Sequence, residues 1–509
     1  MTNLSDLFPA GAGKQVSFTA SGNVTSSGKP VVLNSDGTVS EVSGSSVLNG
    51  TAQNFLASDG AYTAVAYDTT NNQGLVVYRY NAAYIRGMII TLDSSNNITW
   101  GVEVTIHTGS NTGVTTAVYD STHQRYVVMF KDENSYGQAK TLNPSGTGAS
   151  ATFSVSASSF FPTNSTDDIR ETFLASCFDP DTGQVLVGYG HESSSPVIRN
   201  FLVAVGVVRT TAVDGVEDVI WNTPVAIDTS GRDESFSLTY DTTADRVLIL
   251  YTRDISFGAR TGQAVVGTVT TGSPFGTLTS LGTEVQYTAN PYIPGAAYNV
   301  DNNCVGISFR NDDVSSYLYT IGAKIDGSDN SVVFGTEVAV TSEYSDSYTQ
   351  GVTYSTAIDK FTLAYYLAAG YQYRNFNVSS AATPVVTLDA AVTFPSSSDG
   401  VYANYYDSGE DAVVFTWRAG GGPWTAQAIT PASTNLTASA FLGISDAAIS
   451  SAASGDITIK GGIAATGLSS LTPASDYYVQ NDGTITSVSS DVKAGKALSA
   501  TAINLEYTS

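Results

Sequence analysis

The sequence predicts an all-β protein built largely from one unit repeated seven times, and three observations support this. The 509 residues include 47 glycines and 29 tyrosines, with recurring runs of Val, Thr and Tyr, a composition of strands and turns rather than helices. An aromatic residue, usually followed by Asp or Asn, recurs at intervals of 52 to 62 residues. A second aromatic residue stands 11 residues after each of these. Such a period is typical of arrays in which each unit packs against its neighbours.

The two aromatic positions define the repeat. The first aromatics are Tyr67, Tyr119, Phe178, Tyr240, Tyr298, Tyr354 and Tyr406, and the second aromatics are Tyr78, Phe130, Tyr189, Tyr251, Phe309, Tyr365 and Trp417. The spacing of 11 is constant although the period varies, so insertions fall outside this segment. Two apolar runs flank a polar turn within it, which predicts a β-hairpin. The Asp or Asn after the first aromatic is expected to accept hydrogen bonds from turn amides.

Two further strands follow in most copies. The third resembles residues 88–92, and the fourth often opens with Gly-Thr-Glu-Val, as at Gly282 and Gly335. Seven copies of four strands predict a seven-bladed β-propeller over residues 42–431, because such blades need neighbours to bury their faces. The last copy has no obvious fourth strand after the one near residues 424–429. We expect residues 42–49 to supply it and to close the ring, which would otherwise keep an open edge.

The segments outside the repeat, residues 1–41 and 432–509, resemble each other. Each contains two short apolar runs separated by an Asp-Gly pair, at Asp36-Gly37 and at Asp482-Gly483, which is a strong hairpin signal. We expect the two segments to pack together as one small β-domain.

The ends of the chain also resemble known proteins. Phe-Leu-Gly-Ile-Ser (441–445), Gly-Asp-Ile-Thr-Ile-Lys-Gly-Gly (455–462) and Gly-Leu-Ser-Ser-Leu-Thr-Pro (467–473) resemble a C-terminal module of tailed-bacteriophage virion proteins of the tail-fibre and appendage type. Leu-Ser-Asp-Leu-Phe-Pro (4–9) and Val-Ser-Phe-Thr-Ala-Ser-Gly (16–22) are similar to the N-termini of marine-phage structural proteins. This resemblance implies a component of a virion rather than a reaction, and it does not account for the propeller.

Charge and composition argue against several functions. A net charge of −24 disfavours binding to nucleic acid or to an anionic membrane surface. No apolar run approaches the roughly 18 residues of a membrane-spanning helix. The three histidines, His107, His123 and His191, show no metal-binding spacing. Cys177 and Cys304 fall in different copies and are expected to be buried free thiols. We therefore expect no metal, no cofactor and no membrane insertion.

One set of residues is a candidate binding site, the basic ring. Its members follow the second aromatic by one or two positions in six copies, and they are Arg79, Lys131, His191, Arg253, Arg310 and Arg418. Because they fall at the same end of the same strand in each blade, they are predicted to lie on one face of the disc. The ring is interpreted either as a collar for anionic sugars or as a set of structural ion pairs with nearby acids such as Asp132, Asp254 and Asp312. We favour the structural interpretation.

The functional hypotheses follow from these features. The first is a non-enzymatic phage virion protein (tail fibre, appendage or capsid decoration) whose propeller is a docking or display disc and whose terminal β-domain attaches it to other virion proteins. A homo-oligomer is expected, because such positions repeat by symmetry. The first alternative is a lectin-like appendage that recognises a host surface glycan. The second alternative is a glycan-degrading enzyme, which would need converging acids.

Overall fold

The protein forms two compact units in a computed structural model. The described residues are 14–506 except for 35, 46, 57–59, 110–112, 114, 162–167, 195–196, 210–217, 230–232, 257–258, 273–275, 313–316, 344–350, 368–369, 394–400, 419–422, 432, 437–439 and 491. One unit, which we call the terminal module, consists of the described parts of Met1–Leu48 and Pro431–Ser509, and the other, the propeller, is Asn49–Thr430. The compact unit that contains the propeller thus spans residues 49–430, where the sequence predicts 42–431.

The strands are short and follow one another along both units. The first six strands are β1 (Gln15–Thr19), β2 (Pro30–Leu33), β3 (Val39–Glu41), β4 (Gly44–Ser45), β5 (Leu48–Asn49) and β6 (Gln53–Leu56). Blade 1 contains β7 (Gly60–Asp68), β8 (Gln73–Tyr80), β9 (Tyr84–Leu92), β10 (Ile98–Trp100) and β11 (Val104–Thr108). Blade 2 contains β12 (Thr115–Asp120), β13 (Arg125–Lys131), β14 (Gly137–Ser145), β15 (Thr152–Val155) and β16 (Ser159–Phe160). Blade 3 contains β17 (Asp168–Asp179), β18 (Gln184–Ser194), β19 (Val197–Arg209), β20 (Asp218–Trp221) and β21 (Val225–Asp228).

The remaining blades repeat this order. Blade 4 contains β22 (Asp233–Asp241), β23 (Arg246–Ser256), β24 (Ala259–Val269), β25 (Leu278–Thr279) and β26 (Val285–Ala289). Blade 5 contains β27 (Pro291–Asn299), β28 (Cys304–Asn311), β29 (Tyr317–Asp326), β30 (Ser331–Phe334) and β31 (Val338–Ala339). Blade 6 contains β32 (Val352–Ser355), β33 (Lys360–Leu367), β34 (Gly370–Val378), β35 (Val386–Leu388) and β36 (Val392–Thr393). Blade 7 begins with β37 (Val401–Asp407), β38 (Ala412–Arg418) and β39 (Trp424–Thr430).

The last strands belong to the terminal module. They are β40 (Ser433–Thr434), β41 (Phe441–Ser445), β42 (Ser454–Ile459), β43 (Ile463–Ala464), β44 (Asp476–Val479), β45 (Ile485–Thr486), β46 (Lys493–Ser499) and β47 (Ala502–Leu505).

The predicted seven-bladed propeller is confirmed. Each blade is an antiparallel sheet in which the first three strands pair in sequence order, and the outer strand is split into two pieces that both pair with the third strand. The inner strands contact one another in succession, and the inner strand of blade 7, β37, contacts that of blade 1, β7. The ring is therefore closed without an unpaired inner edge.

Of the predicted closing residues 42–49, only Leu48 and Asn49 belong to the strands that close the ring. The outer strand of blade 7 is formed by β5 and β6, which both pair with β39. Gly44 and Ser45 pair instead with Thr434 and Ser433 in the terminal module. The outer strand of blade 7 is split at Gly50, as the outer strand of blade 1 is split at Gly101. The closing strand therefore continues beyond residue 49, to the piece that follows this glycine. A Cβ at Gly50 would lie 1.9 Å from the carbonyl oxygen of Asn96 in the next blade, so only glycine fits this close approach.

The second aromatics occupy equivalent places in the seven blades. All seven lie on the second strand and are no more than 3% exposed. Those of blades 1 to 6 belong to apolar cores that lie between consecutive blades rather than within one blade. In the core between blades 7 and 1, for example, Tyr78 packs with Leu56, Tyr405 and Trp424. Each blade thus buries its faces only in the presence of its neighbours.

The acid after the first aromatic is a turn cap, as expected. In blade 2, Asp120 Oδ1 accepts the backbone N–H groups of Thr122 and His123 at 2.9 and 3.0 Å. Asn299 does the same in blade 5 through its amide oxygen. Ser355 replaces the acid in blade 6, and its hydroxyl finds no hydrogen-bond partner among the described residues. The Asp120 and Asn299 side chains are thus buried and fixed in their own turns.

The first aromatics join neighbouring blades at the same face. In six blades the tyrosine hydroxyl bonds to the first turn of the preceding blade, and only Phe178 lacks a hydroxyl. The bonds are Tyr67 to Asp407 (2.8 Å), Tyr119 to Thr70 (3.1 Å), Tyr240 to Asp181 (3.1 Å), Tyr298 to Thr243 (2.6 Å), Tyr354 to Asp301, and the backbone N–H of Ala357 to Tyr406 (3.3 Å). Burial raises the pKa of Tyr298 to about 12, so this hydroxyl remains a donor at neutral pH. We call this series the tyrosine belt.

The terminal module interleaves the two ends of the chain. Its first sheet has the order β1-β42-β41-β2-β3, so the C-terminal strands β42 and β41 lie between the N-terminal strands β1 and β2. A second sheet has the order β43-β47-β46-β44-β45. Both Asp-Gly pairs lie in hairpin turns, with Gly37 at φ 83° and Gly483 at φ 78°. Among the described residues, no helix has the length and apolarity to cross a bilayer.

The closing strand should be critical for stability. Phe55 in β6 contacts the rings of Tyr78, Trp100 and Trp424 at centroid distances of 5.2 to 6.4 Å. We expect Phe55→Ala to lower the free energy of unfolding by about 2–4 kcal/mol, because it leaves a void in the seam between the last and first blades. Urea unfolding measures this loss. The control is Phe160→Ala, where the ring is 41% exposed and the expected loss is below about 1 kcal/mol; equal losses would contradict the prediction.

A second prediction concerns the turn cap of blade 7. Burial raises the pKa of Asp407 above its ordinary value of 3.8, so the charged form is disfavoured in the folded state and stability falls as pH rises through this pKa. Asp407→Asn should therefore be at least as stable as the parent at pH 7, with an advantage that vanishes as pH falls toward 3.8. Asp407→Ala should lose about 1–3 kcal/mol, because the N–H groups of Gly409 and Glu410 lose their acceptor. Unfolding curves across pH measure both, and equal losses in the two variants at pH 7 would refute the assignment.

Candidate functional site

The six residues of the basic ring share one end of the second strand but not one side of the blade. All six lie on the second strands, at the end away from the first turn. Arg79, Lys131, Arg310 and Arg418 directly follow the buried aromatic, whereas His191 and Arg253 follow it by two positions. Because successive side chains of a strand point to opposite faces, the first four project on the face opposite to the aromatic. The set is therefore divided between two faces of the blades rather than forming a uniform collar.

Arg253 is held by two acids in blades 3 and 4. Its guanidinium contacts Asp228 at 2.5 Å and Glu284 at 2.5 Å, and it lies 5.6 Å from the centroid of the Tyr251 ring. Glu284 also accepts a hydrogen bond from the Tyr251 hydroxyl. Asp228 is 5% exposed, so its charge needs a partner nearby. Asp228 and Glu284 therefore neutralise the charge of Arg253.

Blade 1 contains the same arrangement with an arginine that sequence analysis missed. Arg86 on β9 pairs with Glu103 at 2.5 Å, and Glu103 accepts a hydrogen bond from the Tyr78 hydroxyl at 2.7 Å. Arg86 also lies over the Tyr80 ring at 4.2 Å. The signal in the sequence is the glutamate, which stands two residues after the glycine of the outer strand at both Glu103 and Glu284. We call this arrangement of tyrosine, glutamate and arginine the closed triad.

Arg310 belongs to a cluster between blades 4 and 5. Its Nε lies 2.9 Å from Asp312, which also pairs with Arg260 at 2.8 Å. The two guanidinium groups lie 4.6 and 5.1 Å from the centroid of the Tyr292 ring, a geometry suited to cation–π attraction. The predicted pairing of Arg310 with Asp312 is present, and Arg260 is a second cation that the repeat pattern did not indicate.

The other members of the ring differ in exposure and neighbours. Lys131 is 4% exposed, and His191, Arg79 and Arg418 are half-buried. Asp132, which was expected to pair with Lys131, accepts the N–H groups of Asn134 and Tyr136 and the amide of Gln138. Among the described residues, no ion pair involves Arg418. The structure thus brings the six residues to one end of the blades without joining them into one site.

The cysteines and two of the three histidines lie in surroundings that indicate a structural role. Cys177 and Cys304 are buried free thiols, and burial raises the pKa of Cys304 to about 12. Within the described part of the chain, no group of three or more His, Cys, Asp or Glu side chains is arranged to hold a metal ion. His123 pairs with the turn-capping Asp120 at 2.7 Å, and His107 pairs with Glu133 at 2.9 Å.

Two of the pockets on the described part of the propeller are considered as candidate sites. One, of about 690 Å³, is lined by Thr243, Asn303, Lys324, Asp326, Ser328 and other residues of blades 4 to 6. The Lys324 ammonium lies 2.7 Å from the carbonyl oxygen of Ser380 and so already has an acceptor. The other pocket, of about 480 Å³, contains Tyr365 and Arg374 of blade 6. It lies at the blade end that carries the basic ring, in the one copy where the ring has no member.

Comparisons with known proteins show a fold rather than a family. No family model matches the chain, and no curated protein matches it. Among solved structures, it is similar to Chaetomium thermophilum Sqt1 bound to the N-terminus of ribosomal protein L10 (12% identity, TM-score 0.41, 74% of this chain and 90% of that one). It is also similar to the Pseudomonas aeruginosa periplasmic gluconolactonase PpgL (12%, 0.45, 76% and 98%) and to the Dos1 propeller (8%, 0.40, 75% and 95%). At these identities the likeness concerns the fold alone.

A structural role for Arg253 leads to a stability prediction. We expect Arg253→Met to lower the free energy of unfolding by about 2–4 kcal/mol, because the buried Asp228 carboxylate loses its guanidinium. The matched control is Lys360→Met, which breaks an ion pair with Asp389 whose side chains are 33% and 39% exposed and should cost less than about 1 kcal/mol. Chemical unfolding of both variants measures the difference. A stable Arg253→Met variant would favour the collar interpretation of this residue.

Proposed function

We propose that the chain is a non-enzymatic structural protein of a tailed-phage virion, in which the terminal module attaches the protein to the particle and the propeller is a docking or display disc. The resemblance of the two chain ends to virion proteins suggests that the protein is part of a virion. The contacts within each of the two units support these separate roles.

The interleaved sheet of the terminal module carries this proposal. β1 pairs with β42, and β2 pairs with β41, so both chain ends that flank the propeller are fixed in one sheet. The propeller is therefore an insertion between two halves of a β-module. A rigid domain held at both of its ends transmits force to its anchor through two covalent connections, which suits a part exposed on a particle.

Many polar side chains of the propeller stabilise the fold through contacts with one another. The acids at the repeat positions cap turns, and Arg86, Arg253 and Arg310 are paired with acids. A site for bond breaking requires groups that are free to meet a substrate, so these pairings support a display role. The net charge of −24 favours mutual repulsion and solubility when many copies are close together.

The terminal module also offers features suited to assembly. Ile463 lies on β43 at the edge of the second sheet and is 56% exposed, and Leu498 is 53% exposed. An edge strand presents unpaired backbone groups that can pair with another chain. We propose that other virion proteins, or further copies of this chain in a homo-oligomer, contact the terminal module.

Labelling of intact particles tests the proposal. An antibody raised against the recombinant full chain, coupled to gold, is applied to particles purified from the phage that encodes the chain. Electron microscopy should show label at a constant, symmetry-repeated position, and excess recombinant protein should displace it. Particles without label, with the protein found only in the soluble fraction of the lysate, would overturn the virion role.

A further inference from the structure

The pocket of about 480 Å³ lies between the outer strand of blade 5 and the faces of blade 6. Its walls combine an arginine, a tyrosine, hydroxyl and amide groups, and small apolar side chains. The residues that line it include Val340, Thr341, Glu343, Tyr365, Gln372, Arg374 and Ala391. A volume of this size is within the range of small-molecule sites.

The corresponding positions of blades 1 and 4 are filled by the closed triad. In blade 1 Glu103 connects the Tyr78 hydroxyl with Arg86. In blade 4 Glu284 connects the Tyr251 hydroxyl with Arg253. The glutamate comes from the same position of the outer strand in both blades, whereas the arginine comes from different strands. The carboxylate is therefore the constant part of the arrangement.

Blade 6 keeps the tyrosine and an arginine but has no glutamate. Ala391 directly precedes β36, as Glu103 precedes β11 and Glu284 precedes β26. The Tyr365 hydroxyl donates to Gln372 Oε1 at 3.0 Å, and the charge of Arg374 opposes the rise in pKa that burial gives Tyr365. Arg374 Nε is buried without a hydrogen-bond partner, and no described carboxylate forms an ion pair with Arg374. An arginine without its anion is thus left facing a pocket.

A second small side chain enlarges this space. Three residues after the glutamate position, the outer strand places a side chain against the next blade. The described occupants are Phe55, Ile106, Phe161, Ile227, Tyr287 and Val340. Tyr287, for example, packs against Phe309 of blade 5 at 5.7 Å between ring centroids. Val340 is the smallest of the six and is the one that faces blade 6. Two small side chains, Val340 and Ala391, thus stand at this pocket where other blades have larger ones.

We propose that this pocket binds a carboxylated monosaccharide, a uronic acid, whose carboxylate pairs with Arg374 in the place that Glu103 and Glu284 fill in blades 1 and 4. Arginine recognises carboxylates through parallel hydrogen bonds. The volume exceeds that of a carboxylate, and the side-chain amide of Gln372 suits sugar hydroxyls. Val340 and Ala391 suit the apolar face of a sugar ring. The inference does not depend on the virion role.

Glu343 is the one described acid in the lining of the pocket. It is exposed at the rim, where its backbone carbonyl accepts the Thr341 hydroxyl at 3.0 Å. Its charge opposes an anionic ligand. Glu343→Gln should therefore bind uronate at least as tightly as the parent, and weaker binding in this variant would overturn the assigned orientation.

Calorimetric titration of the full chain with D-glucuronate tests the proposal. We expect saturable binding, with D-glucose and acetate weaker by about tenfold or more, because glucose lacks the charge and acetate lacks the ring. Acetate binding as tightly as glucuronate would overturn the sugar assignment. Glucose binding as tightly as glucuronate would overturn the role of the carboxylate, and no binding of glucuronate or D-galacturonate would overturn the site.

The decisive variant restores the missing glutamate. Ala391→Glu supplies an internal carboxylate to Arg374 and should reduce uronate binding by about tenfold or more while the melting temperature is kept or raised. The matched control is Ala52→Glu at the same repeat position of blade 7, where the second aromatic is Trp417, and binding should be unchanged. Arg374→Gln should also lose binding. If Ala391→Glu binds uronate like the parent, the proposal is wrong.

Discussion

The structure depends on the fact that no blade can bury its own faces. The apolar cores lie between blades, so the buried aromatic of one blade is covered by side chains of the blade before it, as Phe161 covers Tyr189 at 5.7 Å. The tyrosine belt adds hydrogen bonds along the same seams. Closure of the ring is therefore a condition for the stability of every blade, and it depends on β5 and β6, which lie far from blade 7 in sequence.

Much of this fold was predictable because its strongest signals are local. The constant spacing of 11 residues reflects a hairpin whose length cannot change without displacing a buried aromatic, and the Asp after the first aromatic caps its own turn. The closing strand was placed too early in the chain because residues 42–48 look like a strand. The better signal was Gly50-Thr-Ala-Gln, which aligns with Gly282-Thr-Glu-Val, but its glutamate and valine are replaced.

The candidate site was less predictable because its partners come from different strands. The basic ring was recognisable as a repeat position, and the pairing of Arg310 with Asp312 follows from proximity in sequence. Arg86, Arg260 and Arg374 lie on third strands and occupy different repeat positions, so no pattern along the chain groups them with the tyrosines. What blades 1 and 4 share is the glutamate that accepts the tyrosine hydroxyl and pairs with an arginine, whereas the strand that supplies the arginine differs. The triad and its incomplete version in blade 6 become visible only when the blades are compared in space.

The interleaved sheet of the terminal module also governs the order of events during synthesis. Gln15 and Thr19 form hydrogen bonds with Asp446 and Ser454, which lie 431 and 435 residues later. At roughly 5–20 residues per second, a ribosome needs about 20–90 seconds to deliver these partners. The earliest strands therefore wait as unpaired nascent chain while the whole disc emerges. A chaperone that shields them, or a pause in translation after the disc, would act on this interval.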